Sequence, residues 1–177
     1  YVENILEDDD KHVLLSVNTF GQENNGGFAT AIKLNVYNGQ QRKLGKSPLA
    51  GGNFVTDSKG IPRFAVGSDI DNNTVTMYRS SKKAKWEVLS KTPYGEGEIF
   101  PVNISKDDST IHIMDSTKTS TYQLKEIDTN TGKTEVIFHH PKYDFYPQII
   151  DDTVMGATFN PGYAQAYWFE TNDPLQN

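Results

Sequence analysis

Four histidines, the serine of Gly45-Lys46-Ser47 and a recurring set of aspartates are the side chains with the means to do chemistry in this chain. A serine nucleophile needs the strained Gly-x-Ser-x-Gly turn that lifts its hydroxyl clear of a strand. The nearest fragment, Gly45-Lys46-Ser47-Pro48-Leu49, lacks the second glycine, so Ser47 reads as a turn residue. His12 and His112 stand at matching places beside expected strands, where a strand residue with a polar edge is preferred to a catalytic base. His139 and His140 are adjacent. Neighbours on an extended chain point to opposite faces, which suits them poorly to one metal. Carboxylates cluster at Asp8-Asp9-Asp10, Asp107-Asp108 and Asp151-Asp152, and Asp69 stands near Asp71. Such pairs run acid–base chemistry or hold calcium. Here they return at one place in a repeat, which points to turns, because Asp bonds the backbone just ahead of it. Asp69-Ile70-Asp71-Asn72-Asn73 has part of a calcium loop but lacks its glycine and its distant bidentate Glu. The aromatic groups Tyr143-Asp144-Phe145-Tyr146 and Tyr163-Ala164-Gln165-Ala166-Tyr167-Trp168-Phe169 are assigned to packing between sheets rather than to stacking a sugar or peptide. No residue is assigned as catalytic, cofactor-binding or metal-binding, and no cofactor is expected.

The elements behind these residues are strands, and they repeat. An apolar approach, an acidic turn and a strand recur around Asp9, Asp57, Asp107 and Asp151, at separations of 48, 50 and 44 residues. A second landmark, an alternating strand running into a polar turn, recurs around Val36, Tyr78, Ile127 and Phe169, at separations of 42, 49 and 42 residues. Four-stranded propeller blades recur at about 40–50 residues. The two landmarks fit the entry to a blade's second strand and its third-to-fourth turn. Fourth strands then follow at Gln41–Leu44, Trp86–Leu89 and Thr134–Phe138. Asn38-Gly39 and Thr131-Gly132 have the composition of hairpin turns. Ser58-Lys59-Gly60 puts a glycine at a tight turn, and Gly26-Gly27 and Gly51-Gly52 read as punctuation between elements. No long stretch shows a capped 3.6-residue period. The fold class is therefore all-β, a partial β-propeller of about four four-stranded antiparallel blades, with repeats near 1–46, 47–92, 93–140 and 141–177. A sandwich or jelly roll is the alternative for evenly spaced strands. Repetition of one motif pair four times favours the propeller.

Composition closes several other routes. The chain has 177 residues, a net charge of −6 and no cysteine, which removes disulfides and thiolate metal sites. No basic stripe marks a nucleic-acid surface; the densest basic run, Ser81-Lys82-Lys83-Ala84-Lys85, reads as a solvated turn. No apolar run reaches the roughly 20 residues of a membrane-spanning helix. The chain opens at Tyr1 without a signal peptide or Met, and reads as a mature or excised piece. Its compartment, periplasm or cytoplasm, stays open.

Two segments carry a family resemblance. Val55-Thr56-Asp57-Ser58-Lys59-Gly60-Ile61-Pro62-Arg63-Phe64-Ala65-Val66 is similar to the Thr-Asp-x-x-Gly-x-Pro-Arg segment of prolyl oligopeptidase family propellers. Leu124-Lys125-Glu126-Ile127-Asp128-Thr129-Asn130-Thr131-Gly132-Lys133 resembles their Asp-x-x-Thr-Gly-Lys turn. Met77-Tyr78-Arg79 and Trp86-Glu87-Val88-Leu89 fit the blade between. The likeness is greatest to the acylaminoacyl-peptidase and dipeptidyl-aminopeptidase branch. It implies a propeller that gates peptide access to an α/β-hydrolase domain carrying the Ser, Asp and His triad. No position here matches that triad. The resemblance thus implies a fragment without catalysis of its own, partnered by the missing hydrolase domain and by peptide substrates. Seven or eight blades are usual in the family, so two copies are expected to associate across their open edges. A free-standing binding or scaffold module of the bacterial envelope is the alternative.

Overall fold

The computed structural model describes residues 2–6, 9–18 and 27–169. Among them the chain is all strand and turn, laid out as four antiparallel sheets in sequence order. The first holds β1 (Val2–Asn4), β2 (His12–Val17), β3 (Thr30–Asn35) and β4 (Gln41–Lys46). The second holds β5 (Ala50–Thr56), β6 (Pro62–Ser68), β7 (Thr74–Tyr78) and β8 (Glu87–Thr92). The third holds β9 (Ile99–Ile104), β10 (Thr110–Asp115), β11 (Gln123–Asp128) and β12 (Thr134–His139). The fourth shows β13 (Phe145–Ile150), β14 (Thr153–Phe159) and β15 (Gln165–Trp168). Each sheet is a simple meander, and each is one blade of a β-propeller. The expected fold class holds. The end of the last repeat (Glu170–Asn177), Asp8 and Gly26 lie outside the described residues.

Burial explains why the blades stack. Leu14, Ala31 and Leu44 of blade one meet Phe54 and Ala65 of blade two. Phe64 of blade two meets Ile104, Ile111 and Ile113 of blade three. Leu124 of blade three meets Phe145, Val154 and Ala157 of blade four, with Phe138 and Phe145 edge to face at 4.8 Å. Alternation along each strand sends one set of side chains to the preceding blade and the other to the next. A blade therefore buries little by itself and owes its core to its neighbours. The first strands meet on one side: β1 approaches β5, and β5 approaches β9. That side is the hub.

The recurrent turns have a physical cause. Between first and second strands, Asp9, Asp57 and Asp107 each accept the amide two residues on, from Lys11, Lys59 and Ser109, at 3.2, 3.1 and 3.0 Å. The fourth copy differs: Asp151 and Asp152 take left-handed backbone, with φ of 49° and 58°, which short polar side chains tolerate. Between third and fourth strands, Asn35 and Asp128 do the same work in blades one and three. Asn35 accepts the amides of Tyr37 and Asn38, and Asp128 those of Asn130 and Thr131. Gly39 and Gly132 close these turns at φ of 72° with open space around them, so conformation alone demands glycine there. Gly51-Gly52 is a correction to the sequence reading: the pair lies inside β5, not between elements. Gly51 takes a φ of 61° where the register slips between Ala50 and Asn53, and its amide donates to the carbonyl of Gly27 at 3.2 Å.

Candidate functional site

The side chains singled out from the sequence are spent on structure. Ser47 is buried between β4 and β5; its hydroxyl donates to the carbonyl of Leu49 at 2.9 Å and accepts that residue's amide. His12 donates through Nδ1 to Asp9, whose other oxygen holds Lys33 at 2.6 Å. Lys33 and His12 together keep the Asp9 carboxyl well below the usual range. His112 lies buried in β10. Its Nδ1 donates to Asn103 Oδ1 at 2.9 Å, and Asn103 Nδ2 donates to the carbonyl of Asp152 at 2.7 Å, tying blade three to blade four. Nε2 faces Glu126 at 3.3 Å, but burial holds the imidazole pKa below its ordinary value and favours the neutral ring. His139 and His140 point apart. His139 Nε2 meets the Thr121 hydroxyl at 3.0 Å, while His140 Nδ1 accepts the amides of Lys142 and Tyr143 and its ring packs 4.7 Å from Phe159. Asp69 is saturated by the amides of Asp71 and Asn73, the Asn73 side chain and Lys91 at 2.6 Å, which leaves no oxygen facing a calcium ion. Among the described residues no three His, Asp or Glu side chains gather as metal ligands.

The aromatic groups divide. Phe145 and Phe169 pack into the core between blades three and four, whereas Tyr146, Tyr163 and Trp168 are exposed. The expectation of core packing therefore fits part of each group.

The segment that carries the family resemblance is also architectural. Asp57 accepts the amides of Lys59 and Ile61 and pairs with Arg63 Nη1 at 3.2 Å. Arg63 Nε donates to the carbonyl of Arg79 at 2.9 Å, and Arg79 Nε donates to that of Pro62 at 2.7 Å. The Arg79 guanidinium lies 4.5 Å over the Trp86 ring. Arg63 also reaches Asp108 of blade three at 3.5 Å, and the Ser58 hydroxyl donates to the carbonyl of Lys106. These contacts bolt the tip of blade two to itself and to blade three. A cleft of about 360 Å³ beside them, lined by Leu6, Asp9, Lys33, Ser58, Lys59 and Lys106, is a rim of charges answered by charges.

The hub is different. A cleft of about 630 Å³ opens there among Val2, Glu3, Asn18, Asn53, Val55 and Phe100. Its walls come from β1, β5 and β9, strands some fifty residues apart, so only the stacked blades assemble it. Burial raises the pKa of the Glu3 carboxyl despite the Ser16 hydroxyl, the charge of the N-terminal amine and the Phe54 amide, all of which favour the ionised form. Among the described residues no Lys, Arg or His pairs with it. The sequence reading missed this residue. One signal could have found it: Glu3 is the single charged side chain in the first strands of the four blades.

No family model and no curated protein matches the chain in sequence. Among solved structures, the crystal structure of TolB from Acinetobacter baumannii is similar, with a TM-score of 0.54 and 8% identity over 88% of this chain. The chain spans 37% of that structure's length. At this identity the likeness carries the fold: four successive propeller blades.

Proposed function

We propose that this chain is a non-catalytic binding module of a β-propeller, with the hub cleft as its recognition site. One observation supports the reading above others. The side chains of Ser47, His12, His112, Asp9, Asp69 and Asp107 meet partners within or between blades, whereas Glu3 lines an open cleft and no Lys, Arg or His among the described residues pairs with it. Concave sites where a few polar groups converge from separate elements are where ligands bind. The test is titration of the isotope-labelled chain with chemically distinct probes: alkyl cations, alkyl acids, sugars and short peptides, followed by amide NMR. Shifts are expected at Glu3, Gly51–Val55 and Phe100, and aminoacyl chromogenic substrates should remain uncleaved. Turnover of those substrates, or no probe reaching the hub, contradicts the reading.

A propeller section that gates a serine peptidase is the second reading, and the Val55–Val66 and Leu124–Lys133 segments are what favour it. Its weakness is that Asp57, Arg63 and Asp128 are already occupied with turns and blade packing, work that any propeller requires. It calls for an α/β-hydrolase domain on the same polypeptide. Sequencing the coding region beyond Asn177 tests it: about 250 further residues bearing Gly-x-Ser-x-Gly support gating, and their absence ends it.

A further inference from the structure

A carboxylate held partly out of water costs free energy unless something answers its charge. This chain shows the ordinary answer four times. Asp9 has Lys33, Asp57 has Arg63, Asp69 has Lys91 and Asp115 has Lys125, all within 3.2 Å. Glu3 has no such side-chain partner among the described residues. It lies on the hub wall with two neutral donors, Ser16 and Phe54, and the charge of the N-terminal amine acts on it through space; the rest of the wall is apolar or amide. Phe100 and Val2 stand beside it with 44% and 62% of their surfaces exposed. The hub thus offers one negative charge, an aromatic edge and an aliphatic floor.

We propose that the hub cleft binds an organic cation carried on an apolar stem, with Glu3 as its counter-charge and Phe100 and Val2 as its wall. This rests on the reading of the chain as a binding module and names the ligand class. An ammonium or guanidinium suits the site because it replaces the hydration Glu3 has lost and lies favourably against an aromatic ring. A free alkyl amine and the Lys or Arg side chain of a peptide present the same chemistry.

Four probes separate the outcomes by amide NMR: n-hexylammonium, 1-hexanol, hexanoate and the blocked peptide acetyl-Ala-Lys-Ala-amide. Hexylammonium should shift Glu3, Asn53 and Phe100 and bind about tenfold more tightly than hexanol, the difference expected of one partly screened charge pair. Hexanoate should not bind. Glu3→Gln should erase the preference for the cation over hexanol. Its amide oxygen still accepts from Ser16 and Phe54, so the variant keeps the fold. Phe100→Ala should shrink the advantage of hexyl over propyl stems while leaving the charge preference intact. Binding of hexylammonium without the peptide identifies a small-molecule ligand, and binding of the peptide identifies a basic side chain; either supports the class. Equal binding of hexanol and hexylammonium, or an undiminished cation preference in Glu3→Gln, overturns the assignment while leaving a binding hub. Failure of all four probes to reach the hub removes the binding-module reading itself.

Discussion

The tip of blade two and the hub cleft each hold a carboxylate away from bulk water, and they treat it in opposite ways. At the tip, Asp57 is 4% exposed and faces the equally buried Arg63, whose remaining nitrogens reach the Arg79 carbonyl and the Tyr78 hydroxyl. At the hub, Glu3 has two neutral donors and no cation among the described residues. A paired charge of the first kind fixes geometry: it fastens the β5–β6 hairpin and aligns it with Asp108 of the next blade. A charge of the second kind, partly desolvated and without a side-chain cation, stabilises little at neutral pH.

The comparison breaks first at the tip if it breaks at all. Arg63→Ala strands Asp57 without its cation and should cost about 3–5 kcal/mol, the usual penalty for removing one member of a buried pair. Urea denaturation reads this, and a loss below about 1 kcal/mol would place the pair in solvent. The apolar counterpart is next. Leu124→Ala empties a fully buried position between blades three and four and should cost about 2–5 kcal/mol. Phe100→Ala, on the hub wall, should cost less than about 1 kcal/mol. Equal losses for Leu124 and Phe100 would mean that the hub is packed core. Gly132→Ala sets a Cβ at a φ of 72° in open space and should cost about 1–2 kcal/mol of purely conformational strain.

Two smaller effects depend on pH. The folded pKa of His112 lies below its ordinary 6.5, because burial disfavours the imidazolium. Its contribution is therefore complete above pH 6.5 and is lost as pH falls through the folded value. Melting temperature should decline on that acid limb, and His112→Gln should flatten it. The folded pKa of Glu3 lies above its ordinary 4.5. Its contribution is complete below pH 4.5 and is lost as pH rises through the folded value, so Glu3→Gln should melt slightly higher than the native chain at pH 7. A lower melting point for Glu3→Gln at that pH would reveal a hidden cation.

The blades were legible in the sequence because their turns have strict chemical needs. Asp9, Asp57 and Asp107 recur since an Asp side chain must catch an amide two residues on, and Gly39 and Gly132 recur since a left-handed turn position excludes a Cβ. Gly51-Gly52 was misread for the same reason in reverse: a glycine pair marks a bulge inside a strand as readily as a boundary. Long-range partners left no trace. Asn103 holds a carbonyl 49 residues away, and Glu3 meets Phe54 and Phe100 only after three blades have stacked. The Val55–Val66 segment stood out in the sequence but its role did not, because an Asp and an Arg six residues apart look alike whether they clamp a hairpin or greet a substrate. The pairing of Arg63 with Asp57 decides between these roles at that site.

A carbon-detected pH titration of the side-chain carboxyls tests the contrast most directly. The account predicts that Asp107, held by the Ser105 and Ser109 hydroxyls, titrates at about 2, that Asp9 and Asp69 also titrate well below an exposed aspartate, and that Glu3 titrates above 4.5. A Glu3 carboxyl titrating at or below 4.5 would mean that its charge is already answered within the chain, and the hub would lose its claim as the recognition site.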